Sequence, residues 1–117
     1  MFSYIKGNLE VKNLNYVVID VNGIGFKIFM SESAIQSLEE TGNNVKIYTH
    51  MNVKEDDISL YGFITSEELR MFELLIGVSG VGAKSAISML SSITPSKFAL
   101  AVISNDVKTL TKIPGIG

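Results

Sequence analysis

The 117-residue chain predicts an α+β fold in two parts, a five-stranded β-barrel over residues 1–63 and an all-helical segment over residues 64–117. Three observations carry that reading. The first part is dense in β-branched and aromatic residues, its apolar runs YVVIDV and IGFKIFM are separated by Asn22-Gly23, and the apolar period changes from 2 to 3.6 near residue 64. With 46% hydrophobic and 19% charged residues the composition is that of a folded chain rather than a disordered one. No Gly/Ser/Pro linker marks the change of period.

Taken in order, the N-terminal stretch and residues 16–21 and 24–30 read as three strands. In the third, Ile24, Phe26, Ile28 and Met30 share one face by period two. SESAIQSLEE follows as a short helix, where Ser33 and Gln36 have the spacing of a capping box. VKIYTHMNV (45–53) and ISLYGFI (58–64) form a second strand pair joined by the charged tip Lys54-Glu55-Asp56-Asp57. Three strands, a helix and two strands fit a five-stranded Greek-key OB-like barrel, a fold that often binds nucleic acid but also suits other work.

Thr65 and Glu68 repeat the capping-box spacing at the start of SEELRMFELLIG. There Leu69, Phe72 and Ile76 line one face and Met71, Leu74 and Leu75 another, so most of the surface demands burial. AKSAISMLSS is helical after a glycine turn, Thr94-Pro95 reads as N-cap and first helical residue of KFALAVIS, and VKTLTKI ends at Pro114.

Several chemistries are excluded at once. No Cys and one His, His50, leave no disulfide framework, thiolate metal site, Cys nucleophile or multi-His site. His50 sits in a strand-like run, with no Ser, Cys or carboxylate placed beside it by a recognisable motif, and reads as a core or barrel-edge residue. The N-terminus lacks the apolar stretch of a signal peptide, and charges interrupt every apolar run short of membrane-spanning length, so a cytoplasmic protein is expected.

The stretch LLIGVSGVGAKSAISML is the most informative. It misses a P-loop, because Ala83 separates Gly82 from Lys84 and a helix precedes the turn, and it misses a dinucleotide fingerprint, because Ser85 holds the third glycine position. What remains is helix, Gly80-Val81-Gly82, helix. The glycines allow a sharp turn and close backbone approach to a ligand, with Val81 tucked beneath the helix pair. The first amides of the second helix point outward with the positive end of its dipole, where a DNA phosphate can dock beside Lys84 and Ser85. Such contacts hold the backbone of DNA without reading its sequence. The signal recurs at Gly115, Ile116 and Gly117, 35 residues after Gly80, but the helix that a second hairpin needs does not follow.

YIKGNL, VNGIGFKI, THMNVKEDDISLYGF, ELLIGVSGVGAKSAISMLS and LTKIPGIG, spread over essentially all of the chain, resemble the RuvA family of Holliday-junction-recognising subunits. Ala83, where that family commonly has Pro, and Gly77 are departures that leave every backbone donor in place and imply tuned affinity. The resemblance implies an OB-like domain that assembles as a homotetramer, a domain with two DNA-gripping hairpins, and a third domain that contacts the RuvB motor. That third domain is absent here, so the resemblance implies a fragment. It also implies four-way junction DNA, the RuvB ATPase and the RuvC resolvase as partners, with no cofactor and no membrane.

A charged hairpin tip has an ordinary explanation, since tips in water are normally charged. The resemblance gives a second one. Glu55 and Asp56 match the family's acidic pin at the junction centre, with Lys54 a junction-facing base, and four such tips around one axis would repel phosphates and keep a duplex from crossing intact. Two rivals stand beside a non-catalytic junction binder. One is a scaffold whose hairpins touch only protein. The other is a Mg²⁺ nuclease using Glu55, Asp56 and Asp57, disfavoured because consecutive strand-end residues alternate in direction. Net charge splits in step with the fold: residues 1–63 carry 5 basic and 8 acidic residues, a net of −3, and residues 64–117 carry 5 and 4, a net of +1.

Overall fold

The computed structural model describes residues 1–78, 80–90, 96, 97 and 100. Elements run β1 (Tyr4–Lys12), β2 (Tyr16–Val21), β3 (Ile24–Phe29), α1 (Glu32–Ser37), β4 (Asn44–Val53), β5 (Ile58–Phe63), α2 (Ser66–Ile76) and α3 (Ala83–Met89). The expected order of three strands, a helix and two strands is the observed one.

The five strands close into a barrel in the order β1-β2-β3-β5-β4, with β3 and β5 the parallel pair and the other pairings antiparallel. This is the OB-like arrangement. Closure depends on β1, whose first half, Tyr4 to Asn8, pairs with β4 while Asn8 to Lys12 pairs with β2. One strand can serve two partners because it bends where Glu10 is bulged out of the β2 ladder, between Leu9↔Ile19 and Val11↔Val18. The interior is filled by alternate residues, and Leu9, Val17, Ile19, Ile28 and Ile47 are wholly buried. Each such side chain contributes about 1.5–3 kcal/mol by leaving water. Gly62 belongs to this interior: a Cβ there would lie 2.5 Å from Ile28 Cγ2 and 2.6 Å from Ile47 Cγ2.

Asn22-Gly23 makes the β2–β3 turn, with φ of 52° and 90°, and the Gly23 N–H donates to Asp20 Oδ1 at 2.8 Å. Both residues are left-handed, as a two-residue turn with primed geometry requires. Outside the barrel, the Lys27 ammonium lies 4.4 Å from the Tyr16 ring centroid, and that of Lys46 lies 4.4 Å from the Tyr4 centroid. The aliphatic stems cover aromatic surface while the charges stay wet.

Along β3, Ile28 and Met30 are buried, Phe26 is half-buried against the core, and Ile24, next to the Asn22-Gly23 turn, is 60% exposed. Two local expectations are corrected. The cap of α1 is Ser31, not Ser33. Its buried hydroxyl accepts from the Ala34 N–H at 3.2 Å, while Gln36 instead reaches Glu32 within the helix. On α2, Met71, Phe72 and Leu75 are buried but Leu74 is 59% exposed, so the apolar face is one stripe and not two.

The Thr65 cap of α2 is present. Its hydroxyl accepts from the Glu68 N–H at 3.2 Å, and the Glu68 carboxylate accepts from that hydroxyl at 3.4 Å rather than from the Thr65 N–H. The chain divides into two compact units, Met1–Leu69 and Arg70–Gly117, a division that falls inside α2. Among the described residues no helix is long and apolar enough to cross a membrane. The helix expected after Thr94-Pro95 and the final VKTLTKI helix lie outside the described residues, apart from Ser96, Lys97 and Leu100.

Candidate functional site

The sequence directs attention to two places, one in each unit. In the second unit α2 runs out through a tight bend: the Val78 N–H donates to the Leu75 carbonyl at 3.0 Å, and the Val81 N–H to the Val78 carbonyl at 3.1 Å. Gly80 is the third residue of the turn that this second bond closes, at φ 86°, a conformation L side chains rarely adopt. Its glycine is therefore required. Gly82 differs, for at φ −90° and ψ 172° it is the extended N-cap of α3 and any residue could adopt that backbone. What glycine supplies there is space, since a Cβ would meet nothing within 4 Å and no side chain caps the helix.

The first intrahelical bond of α3 runs from the Ala86 N–H to the Gly82 carbonyl at 2.9 Å. Helix geometry leaves the amides of Ala83, Lys84 and Ser85 ahead of it without an intrahelical acceptor. Lys84 and Ser85 are exposed beside them, and Val81 is only 8% exposed, tucked inward as its apolar character demands. The stretch from Gly80 to Ser85 thus presents amides, a hydroxyl and one ammonium over a glycine-bared turn. An anion is the ligand such an arrangement suits. The second glycine signal, Gly115, Ile116 and Gly117, lies outside the described residues.

In the first unit the β4–β5 hairpin carries Lys54, Glu55, Asp56 and Asp57 at its tip, all exposed. The tip is closed by a 2.7 Å bond from the Lys54 N–H to the Asp57 carbonyl, directly above the Val53↔Ile58 pair. The carboxylates are therefore held on a short, bonded turn. They are not gathered as metal ligands: among the described residues no group of three or more His, Asp or Glu side chains could hold a metal ion. His50 is half-buried in β4, opposite Tyr61 of β5.

Sequence reasoning missed the apolar side chains around the tip. Val53 and Ile58 are 64% and 65% exposed, although by period two they continue the inward face of their strands. Alternation marks a face but not the point at which the barrel ends beneath it.

The RuvA N terminal domain family matches residues 1–62, and the SAM-like helix-hairpin-helix tandem family matches residues 72–117. Curated relatives named Holliday junction branch migration complex subunit RuvA align over all 117 residues. That of Acetivibrio thermocellus is 59% identical, that of Ruminiclostridium cellulolyticum 56%, and that of Thermoanaerobacter pseudethanolicus 46%. The chain spans 58%, 59% and 63% of their respective lengths. With an OB-like barrel under the first match and a turn between α2 and α3 within the second, the chain belongs to the RuvA family.

Proposed function

We propose that this chain is the junction-recognising part of a branch migration complex subunit, a non-catalytic binder of four-way DNA junctions. The observation that carries this reading is the pairing of two unlike sites on one chain. One is an anion-accepting turn at Gly80, Val81, Gly82, Lys84 and Ser85, and the other an acidic tip at Glu55 and Asp56. The first suits phosphates of duplex arms, held through the main chain and so independently of sequence. The second repels phosphates. A ligand that satisfies both has duplex arms in reach of the turn and a centre from which phosphates are drawn away. An open four-way junction has that form, and a linear duplex does not.

In this reading residues 1–63 are the assembly and pin domain and residues 64–117 the DNA-gripping domain, with Gly115, Ile116 and Gly117 belonging to a second hairpin. Four copies around an axis bring four tips together at the crossover, with Lys54 beside them to meet the nearest phosphates. The RuvB ATPase drives movement of the arms, the RuvC resolvase acts on the same junction, and the setting is cytoplasmic recombination and repair. The names of the relatives support the junction and the branch migration complex.

The test is a titration against a labelled four-way junction and a linear duplex of equal length, with and without Mg²⁺, at two salt concentrations. The expected result is junction-selective, salt-weakened binding without cleavage. Glu55→Gln with Asp56→Asn should leave the fold unchanged, raise duplex affinity and narrow the junction preference. No binding would favour a protein scaffold, cut products a nuclease, and unchanged selectivity in the double variant would remove the pin role.

A further inference from the structure

The strand directions place an apolar collar around the acidic tip. β3 and β5 are parallel neighbours, and β4 is antiparallel to β5, so the β2–β3 hairpin and the β4–β5 hairpin emerge at the same end of the barrel. β1, antiparallel to β4, begins at that end too. Four large side chains belong to this mouth: Phe2 is 42% exposed, Ile24 60%, Val53 64% and Ile58 65%. Val53 and Ile58 are direct partners across the ladder, which sets their Cβ atoms roughly 5 Å apart. The Phe2 ring packs edge-on to Phe26, centroids 6.1 Å apart, two residues along β3 from Ile24. The Lys54 to Asp57 bond holds the tip immediately above the Val53/Ile58 pair.

We infer that this collar of Phe2, Ile24, Val53 and Ile58 receives unpaired nucleobases at the crossover of a junction, while the acidic tip turns their phosphates outward. The inference rests on the junction reading above. Charge argues for bases as the occupant. Glu55, Asp56 and Asp57 outnumber Lys54 at the tip, so a phosphodiester brought to the collar meets net repulsion, whereas a base carries no charge and gains by leaving water against an apolar surface. Size argues the same way. A stable protein interface engages about 20–30 residues a side, and four side chains around a hairpin tip match a few planar rings better than a second protein. Tip and collar then act as one device, because repulsion alone would drive the whole nucleotide away while the collar retains its base.

The experiment places 2-aminopurine, which brightens when unstacked, at the crossover of a four-way junction, and records its emission as the protein binds. The protein should raise the emission. Read at saturating protein, the triple variant Ile24→Ser/Val53→Ser/Ile58→Ser should lose roughly half of that gain, and Val53→Ile/Ile58→Val should retain it. Ile58→Ser alone, at a largely exposed position, tests the same point with less burden on folding, and circular dichroism confirms the fold of each variant. An undiminished gain in variants that still bind would overturn the collar and leave the junction reading intact. A changed sedimentation coefficient in the serine variants would also overturn it, by assigning the surface to contacts between copies. If the unmodified protein shows no preference for junction over duplex, the junction reading fails and the collar falls with it.

Discussion

The barrel tip and the helical turn present opposite solutions to holding a functional group in place. At the tip the proposed chemistry is in side chains, Glu55 and Asp56, carried on a hairpin whose own ladder and closing bond do not involve their carboxylates. At the turn it is in the main chain, in amides that exist as donors only while Gly80 keeps its left-handed φ and α3 begins at Gly82. Function can therefore be removed from the barrel without touching its fold. In the helical unit, conformation and function are one property, and a substitution that alters the first alters the second.

The largest of these expected effects falls in the barrel interior. Gly62→Ala would set a Cβ 2.5 Å from one wholly buried isoleucine and 2.6 Å from another, inside a closed barrel with no free edge to give way. Overpacking of this kind costs about 1–3 kcal/mol, and the loss should appear as a lowered melting temperature. Once the variant is folded at low temperature, its tip should behave as before. A Gly62→Ala protein with normal stability but altered DNA preference would break the separation between barrel fold and tip chemistry.

Gly80→Ala is expected to have the next largest effect, and it should move both properties together. No atom stands in the way of the new methyl group, so the whole cost is the positive φ, roughly 1 kcal/mol. Because the Val78 to Val81 bond and the start of α3 depend on that conformation, hydrogen exchange should quicken locally and junction affinity should fall. Gly82→Ala is the internal contrast, since its backbone is ordinary and the new methyl meets nothing. It should keep stability and lower affinity only by crowding the ligand. If the two variants were equally destabilised, the distinction drawn between the glycines would be wrong.

The same contrast explains what was legible in the sequence. The barrel could be read strand by strand because alternation and the Asn22-Gly23 turn are local signals, and the mobile choice among topologies is reduced by the requirement that five strands bury one shared face. Two serines in SESAIQS compete for the cap, and Ser33 looks better because Gln36 follows three residues later. Ser31 wins because capping needs only an acceptor placed three residues before a free N–H, here that of Ala34, and because starting there buries Ala34 and Ile35. Leu74 misled for a related reason. Apolar residues at consecutive positions look like two faces, yet this helix buries only the stripe of Met71, Phe72 and Leu75. The glycine turn was legible as a turn between two helices, whereas the exposure of Val53 and Ile58 was not, because it depends on where the barrel ends.

The smallest expected effect lies on α2, the helix within which the two units divide, and it concerns the residue that both ends its cap and titrates. Glu68 is half-buried beside Thr65, and burial raises its pKa above the ordinary 4.5. The Thr65 hydroxyl bond pulls the other way and the Glu67 charge adds to the rise. The positive end of the α2 dipole also favours a carboxylate there, and burial outweighs it. A group whose folded pKa is raised stabilises the fold fully below its ordinary value, and that contribution is lost as pH climbs through the folded pKa. Glu68→Gln keeps the shape and removes the titration. Measured between about pH 3.5 and about pH 7, the melting temperature of the unmodified protein should therefore fall relative to the variant as pH rises through and beyond 4.5. The opposite slope would mean that the cap hydrogen bond and dipole dominate. Glu68 would then belong with the residues whose charge supports the fold, unlike Glu55 and Asp56, whose carboxylates the fold does not use.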